Sequence, residues 1–62
     1  MQFHIEAMNS DALAKLVSAA IRAIDPFAII ITNSYTRTLT VNRDLGETTI
    51  RAILTSAGFT PR

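Results

Sequence analysis

The chain contains no cysteine and no tryptophan, only two glycines and two prolines, and no run of charge of either sign. Without cysteine there is neither a disulfide nor a thiolate metal site, two devices on which natural domains of this size often rely. The lack matters because 62 residues allow a single domain, residues 1–62, and a chain of about 60 residues buries only about 60% of the surface its unfolded form exposes. Six Lys and Arg against five Asp and Glu leave a net charge of +1, and Lys15, Arg22, Arg37, Arg43, Arg51 and Arg62 stand singly along the chain. A nucleic-acid binder gathers its basic residues on a face or stripe, so the charge pattern offers nothing to a polyanionic partner. The longest unbroken apolar run, Phe27 to Ile31, is far short of the ~20 residues that span a membrane. The first residues alternate and include His4 and Glu6, unlike the basic and then apolar stretches of a secretory signal. Absence of cysteine fits a reducing compartment, and the expected location is cytoplasmic.

What is present is a 48% share of hydrophobic residues, far from the composition of a disordered chain. Gln2 to Ala7 alternates, with Phe3 and Ile5 apolar, which is the period of a half-buried strand. Asn9 and Ser10 are good helix N-caps, and Asp11 puts a negative charge in the first turn. Leu13, Val17, Ala20, Ile21 and Ile24 then recur at steps of three and four, an apolar stripe on a helix that Asp25-Pro26 ends. Phe27 to Thr32 is rich in β-branched residues and reads as a strand. Arg37 to Asn42 alternates around Leu39 and Val41, and the polar stretch Asn33 to Thr36 joins the two runs into a hairpin. Asp44 and Glu47 stand three apart, as in a capping box, before a second helix with Ile50, Ile53, Leu54 and Ala57 on its inner stripe. Gly58 falls where a left-handed C-cap belongs, Phe59 can make the accompanying contact, and Phe59 to Pro61 is a candidate last edge strand. The predicted order is βαββαβ. It implies an α+β, ferredoxin-like sandwich, with a four-stranded antiparallel sheet and both helices on one face.

With these elements in place, the stretch Phe3-His4-Ile5-Glu6-Ala7-Met8-Asn9-Ser10-Asp11-Ala12-Leu13 resembles the first strand and metal loop of heavy-metal-associated domains. The similarity continues through Lys15-Leu16-Val17, Ala23-Ile24-Asp25-Pro26, Thr36 to Val41 and Ala57 to Pro61, and so covers essentially the whole chain. Members of that family include copper chaperones, modules of metal-transporting ATPases and mercury-resistance proteins, and they hold soft metals through an MxCxxC pair of thiolates. Here the two cysteine positions are Ser10 and Leu13, and Ala7 stands where the family has glycine. A serine hydroxyl is not a thiolate at neutral pH and leucine has no donor atom, so the resemblance does not carry the metal site to these positions. Met8 is retained, and the resemblance implies that it packs beneath the loop.

Four candidate sites follow. A thiol-free metal site could draw on His4, Met8 and Asp11, but one histidine and one thioether fall short of the ligand count such sites need. Ser10 with His4 and a nearby Asp11 or Glu6 suggests a nucleophile and base, yet Ser10 is better explained as a helix cap and the chain is too short for a sizeable pocket. The chain is therefore read as non-enzymatic and without a cofactor. RNA binding on the sheet needs aromatic stacking residues on the central strand, and Arg37 to Asn42 has none. The remaining candidate is a protein-contact surface. The resemblance turns Ile30 and Thr32 towards the helices and leaves Phe27, Ile29 and Ile31 on the open sheet face. The strand read alone makes Phe27, Ile29 and Ile31 the natural core face, and a shift of one residue interchanges the two. Either way one set of isoleucines is left outside, and exposed apolar strands must pair or be covered. The sequence thus points to a ligand-depleted heavy-metal-associated domain acting through a protein partner or a homodimer. The alternative is metal trafficking with non-cysteine or partner-supplied ligands.

Overall fold

A computed structural model describes residues 1–42 and 46–61 of the chain. The elements run β1 (Gln2–His4), α1 (Asp11–Ile24), β2 (Ile29–Asn33), β3 (Thr38–Asn42) and α2 (Glu47–Ser56). β3 is the central strand, with β1 and β2 antiparallel on either side. Both registers run without a bulge: Phe3 faces Leu39, Leu39 faces Thr32, and Val41 faces Ile30. Those side chains turn towards the helices, where Phe3, Ile5, Leu39 and Val41 join Met8, Val17, Ile21, Ile50, Leu54 and Phe59 in one core. Ile30 is partly buried against it, while Ile29 and Ile31 lie on the opposite face. β2 therefore takes the register in which Ile30 and Thr32 face inwards. No helix among the described residues is long and apolar enough to cross a membrane.

Local chemistry sets where each element stops. β1 is shorter than the alternation Gln2 to Ala7 predicts, because the Met8 amide donates to the Ile5 carbonyl at 3.0 Å and turns the chain. α1 starts where expected, with Ser10 as N-cap, its Oγ accepting from the Leu13 amide at 3.3 Å. β2 begins at Ile29 rather than Phe27. The Asp25 carboxylate accepts from the Phe27 amide at 3.1 Å and the Asp25 carbonyl from the Ala28 amide at 3.1 Å, which locks residues 25–28 in a turn. In the hairpin, Asn33 Oδ1 accepts from the amides of Tyr35 and Thr36 at 2.9 and 3.2 Å, an Asx turn. Arg37 closes that turn in the left-handed region at φ 57°, so β3 starts at Thr38 and not at Arg37.

The second helix departs further from expectation. Its N-cap is Gly46, with no side-chain cap bond, and Glu47 is its first residue rather than the third of a capping box. Asp44 lies outside the described residues. Glu47 instead accepts from Arg51 Nε at 3.1 Å, one turn on, and the Arg51 guanidinium stands 5.4 Å from the Phe3 ring centroid, tying α2 to β1. At the other end Gly58, at φ 87°, donates to the Thr55 carbonyl and Phe59 to the Leu54 carbonyl, the paired bonds of a Schellman cap. Phe59, 8% exposed, then drops into the core.

The expected fourth strand is not formed among the described residues, and the sheet has three strands. Pro61 has no amide proton for a ladder. Two positions of the expected helix stripes are also outside: Ile24 is 60% exposed and Ala57 is exposed. Small residues at Ala20, Ala52 and Ser56 leave an open groove of about 500 Å³ between the helices there, and Ile24 and Ala57 line it.

Because an added methyl at Gly58 meets no atom within 4 Å, the cost of Gly58→Ala is backbone strain alone. Equilibrium denaturation is expected to show a loss of about 1–2 kcal/mol, and a neutral result would mean the left-handed cap does not form.

Candidate functional site

Two surfaces were singled out by sequence, the loop between β1 and α1 and the apolar residues around β2. The loop is held from both sides. Ile5 donates its amide to the Arg37 carbonyl at 2.8 Å, and Ser34 Oγ donates to Asp11 Oδ1 at 3.0 Å, so the hairpin turn is strapped against both ends of the loop. Within it, Met8 is 0% exposed and belongs to the core. Ser10 spends its hydroxyl on the helix cap, and Leu13 packs partly buried against the core. At the two positions where the resemblance puts thiolates, one side chain is thus a backbone cap and the other a hydrophobic wedge.

His4, Met8 and Asp11 do not converge. His4 pairs with Thr38 on the open sheet face, and its Nε2 shares a 2.5 Å hydrogen bond with Glu6 Oε1. Glu6 Oε2 in turn accepts from Arg37 Nη1 at 2.7 Å. Met8 is on the other side of the sheet, inside the core, and Asp11 is exposed in the first turn of α1, bonded to Ser34. Among the described residues no group of three His, Cys, Asp or Glu side chains could hold a metal ion. Nor do Ser10 and His4 form a nucleophile and base, since the first serves the Leu13 amide and the second Glu6.

The hydrogen-bonded cluster of His4, Glu6 and Arg37 is not apparent from the sequence. The spacing of His4 and Glu6 along an alternating stretch could have hinted at its first half, but Arg37 reaches Glu6 only because the hairpin folds back over the end of β1. Tyr35, read as one more turn residue, is 97% exposed at the hairpin tip.

The open sheet face carries Gln2, His4, Asn33, Thr38, Thr40 and Asn42, with Ile29 and Ile31 on its outer strand. Ile29 is 56% and Ile31 63% exposed, and Phe27, just before the strand, is 81% exposed. The residues from Phe27 to Thr36 include no charged side chain. This is an apolar strip beside a polar face that includes His4 and its Glu6 partner.

The whole fold has close counterparts among solved structures. A gold-binding protein, known from its crystal structure, is 39% identical over all of this chain and 95% of its own, with a TM-score of 0.97. A protein of Agrobacterium tumefaciens is 31% identical over all of this chain and 97% of its own, at a TM-score of 0.89. The copper chaperone Atx1 from Synechocystis PCC6803, in a trimeric form, is 24% identical over all of this chain and 98% of its own, at a TM-score of 0.95, a likeness of fold. No protein-family model and no curated protein matches the chain.

The placement of Met8 and His4 separates their roles. Met8→Ala should cost about 2–5 kcal/mol in denaturant unfolding, as for a buried core side chain. His4→Ala, which breaks an exposed pair, should cost less than about 1 kcal/mol. The reverse order would mean that Met8 is not part of the core.

Proposed function

For a chain that belongs to one family with the gold-binding protein and has the fold of the Atx1 copper chaperones, we propose the role of a heavy-metal-associated domain that no longer holds metal through thiolates and works by contact with another protein. The observation that carries this reading is the state of the loop. Soft metals select soft sulfur donors, and a gold-binding relative and copper-chaperone neighbours handle such metals. In this chain Ser10 and Leu13 occupy the corresponding positions, and both have structural work instead. The remaining sulfur near the loop, that of Met8, is sealed in the core.

Protein contact is supported by what the chain leaves outside. Large apolar side chains that are over half exposed contribute little to the core, and a contiguous strip of them marks an association surface. Phe27, Ile29 and Ile31 form such a strip. Atx1 is known in a trimeric form and in a side-to-side arrangement, so chains of this fold do meet others. Nothing in the reading requires catalysis, and the partner recognises shape and apolar surface rather than charge.

Two experiments bear on this. Titration of the chain with reduced Cu(I) should give no binding heat, while Ser10→Cys with Leu13→Cys, which restores both thiols at the head of α1, should bind one Cu(I) per chain tightly. Tight binding by the unaltered chain would overturn the proposal in favour of a thiol-free or shared metal site. Separately, Ile29→Thr and Ile31→Thr should each shift unfolding free energy by no more than about 0.5 kcal/mol, because neither side chain serves the core.

A further inference from the structure

We infer that the partner of β2 is the same strand of a second copy, paired antiparallel along its outer edge to join two three-stranded sheets into one of six. This rests on the protein-contact reading above and names its partner.

β2 is one of the two outer strands of the sheet, and among the described residues its outer edge has no backbone partner. Edge strands are ordinarily blunted by an inward charge, a proline or a bulge. β2 has none of these, for Ile29 to Asn33 pair residue by residue with β3 and include neither a proline nor a charge. The edge is therefore competent to add a strand. What it would add is restricted by charge. From Phe27 to Thr36 there is no ionised side chain to answer one on a partner, and a charge placed against Ile29 or Ile31 would lose hydration without compensation. The matching strand is uncharged, β-branched and apolar on the same face.

β2 of a second copy meets each condition and is complementary to itself. About a two-fold axis at Ile30, Ile29 stands opposite the second copy's Ile31, and Ile31 opposite its Ile29. Both pairs fall on the open face, at the spacing where cross-strand β-branched pairs touch. On the helix side, Ile30 stands opposite the second copy's Ile30. Ile29 and Ile31, both over half exposed, thus lie along one seam. Like charges do not meet there. A five-residue strand pair buries far less than the roughly 1,200 Å² of a standard stable interface, so the dimer is weak and concentration-dependent.

The test uses the absence of native cysteine. Ile29→Cys and Ile31→Cys chains are mixed in a glutathione redox buffer, with Ser56→Cys, on the exposed side of α2, as control. Opposed residues of an antiparallel pair have Cα atoms about 4.5–5.5 Å apart, within reach of a disulfide, whereas the diagonal that a homodimer of either variant needs is about 7–8 Å and out of reach. The expected result is a disulfide heterodimer of Ile29→Cys with Ile31→Cys, several-fold above its statistical share. Sedimentation of the unaltered chain should show mass rising with concentration, and Ile31→Glu should abolish the rise. Heterodimer at or below the statistical share, cross-linking no better than Ser56→Cys, or a monomer at every concentration would overturn the pairing. Any of these, with no Cu(I) binding heat, would leave the protein-contact reading in place with a different partner. Tight Cu(I) binding by the unaltered chain would remove that reading itself.

Discussion

Among the described residues, twelve buried apolar side chains pressed between one face of a three-stranded sheet and two helices hold this fold together, with no buried polar or charged residue beside them. A domain of this size has little to spare, since so much of its surface stays wet, and neither a disulfide nor a thiolate-bound metal can add to the total. Each connection must therefore feed the same core. Met8 does so from inside the first loop, Leu13 from the first turn of α1, and Phe59 from the cap of α2. In a thiolate-bearing member the head of α1 would be shaped around an ion. Here the same backbone is fixed by the Ser10 cap and by the bonds from the hairpin turn to Ile5 and Asp11.

Much of this was legible in the residues. The alternation around Phe3 and Ile5, the cap at Ser10, the stop at Asp25-Pro26 and the left-handed Gly58 each have a local cause, and each lies where the sequence puts it. What was not legible depends on contacts between distant segments. The register of β2 could not be chosen from Phe27 to Thr32, because both faces of that strand are apolar. Pairing with β3 and the position of α1 decide it. The cap of α2 shifted to Gly46, because a capping box is only one way to start a helix. Among the described residues no fourth strand forms, and Pro61 lacks an amide to donate; Ile24 is exposed because the small residues opposite it do not close the groove. Of the candidate site, the loss of thiolates was plain. The linkage of His4 to Arg37 through Glu6 was not, since it spans the hairpin.

The consequence for function is a division of labour between the two faces of the sheet. The face towards the helices is packed into the core, while the other is polar in its middle and apolar along β2. In this chain the first loop is fixed by the Ser10 cap and packs Met8 and Leu13 against the core. The apolar strip left over on β2 is then the part of the surface that the fold itself does not explain.

The claim on which this account turns is that folding is complete without a soft metal. A ligand that binds only the native state raises the melting temperature with its concentration, and a metal bound at a structural site couples to folding outright. Thermal unfolding of the unaltered chain, followed by circular dichroism with a strong copper chelator and then with increasing Cu(I), tests this directly. A cooperative transition at the same temperature throughout is expected. A transition that is absent with the chelator, or that climbs steadily with Cu(I), would contradict it.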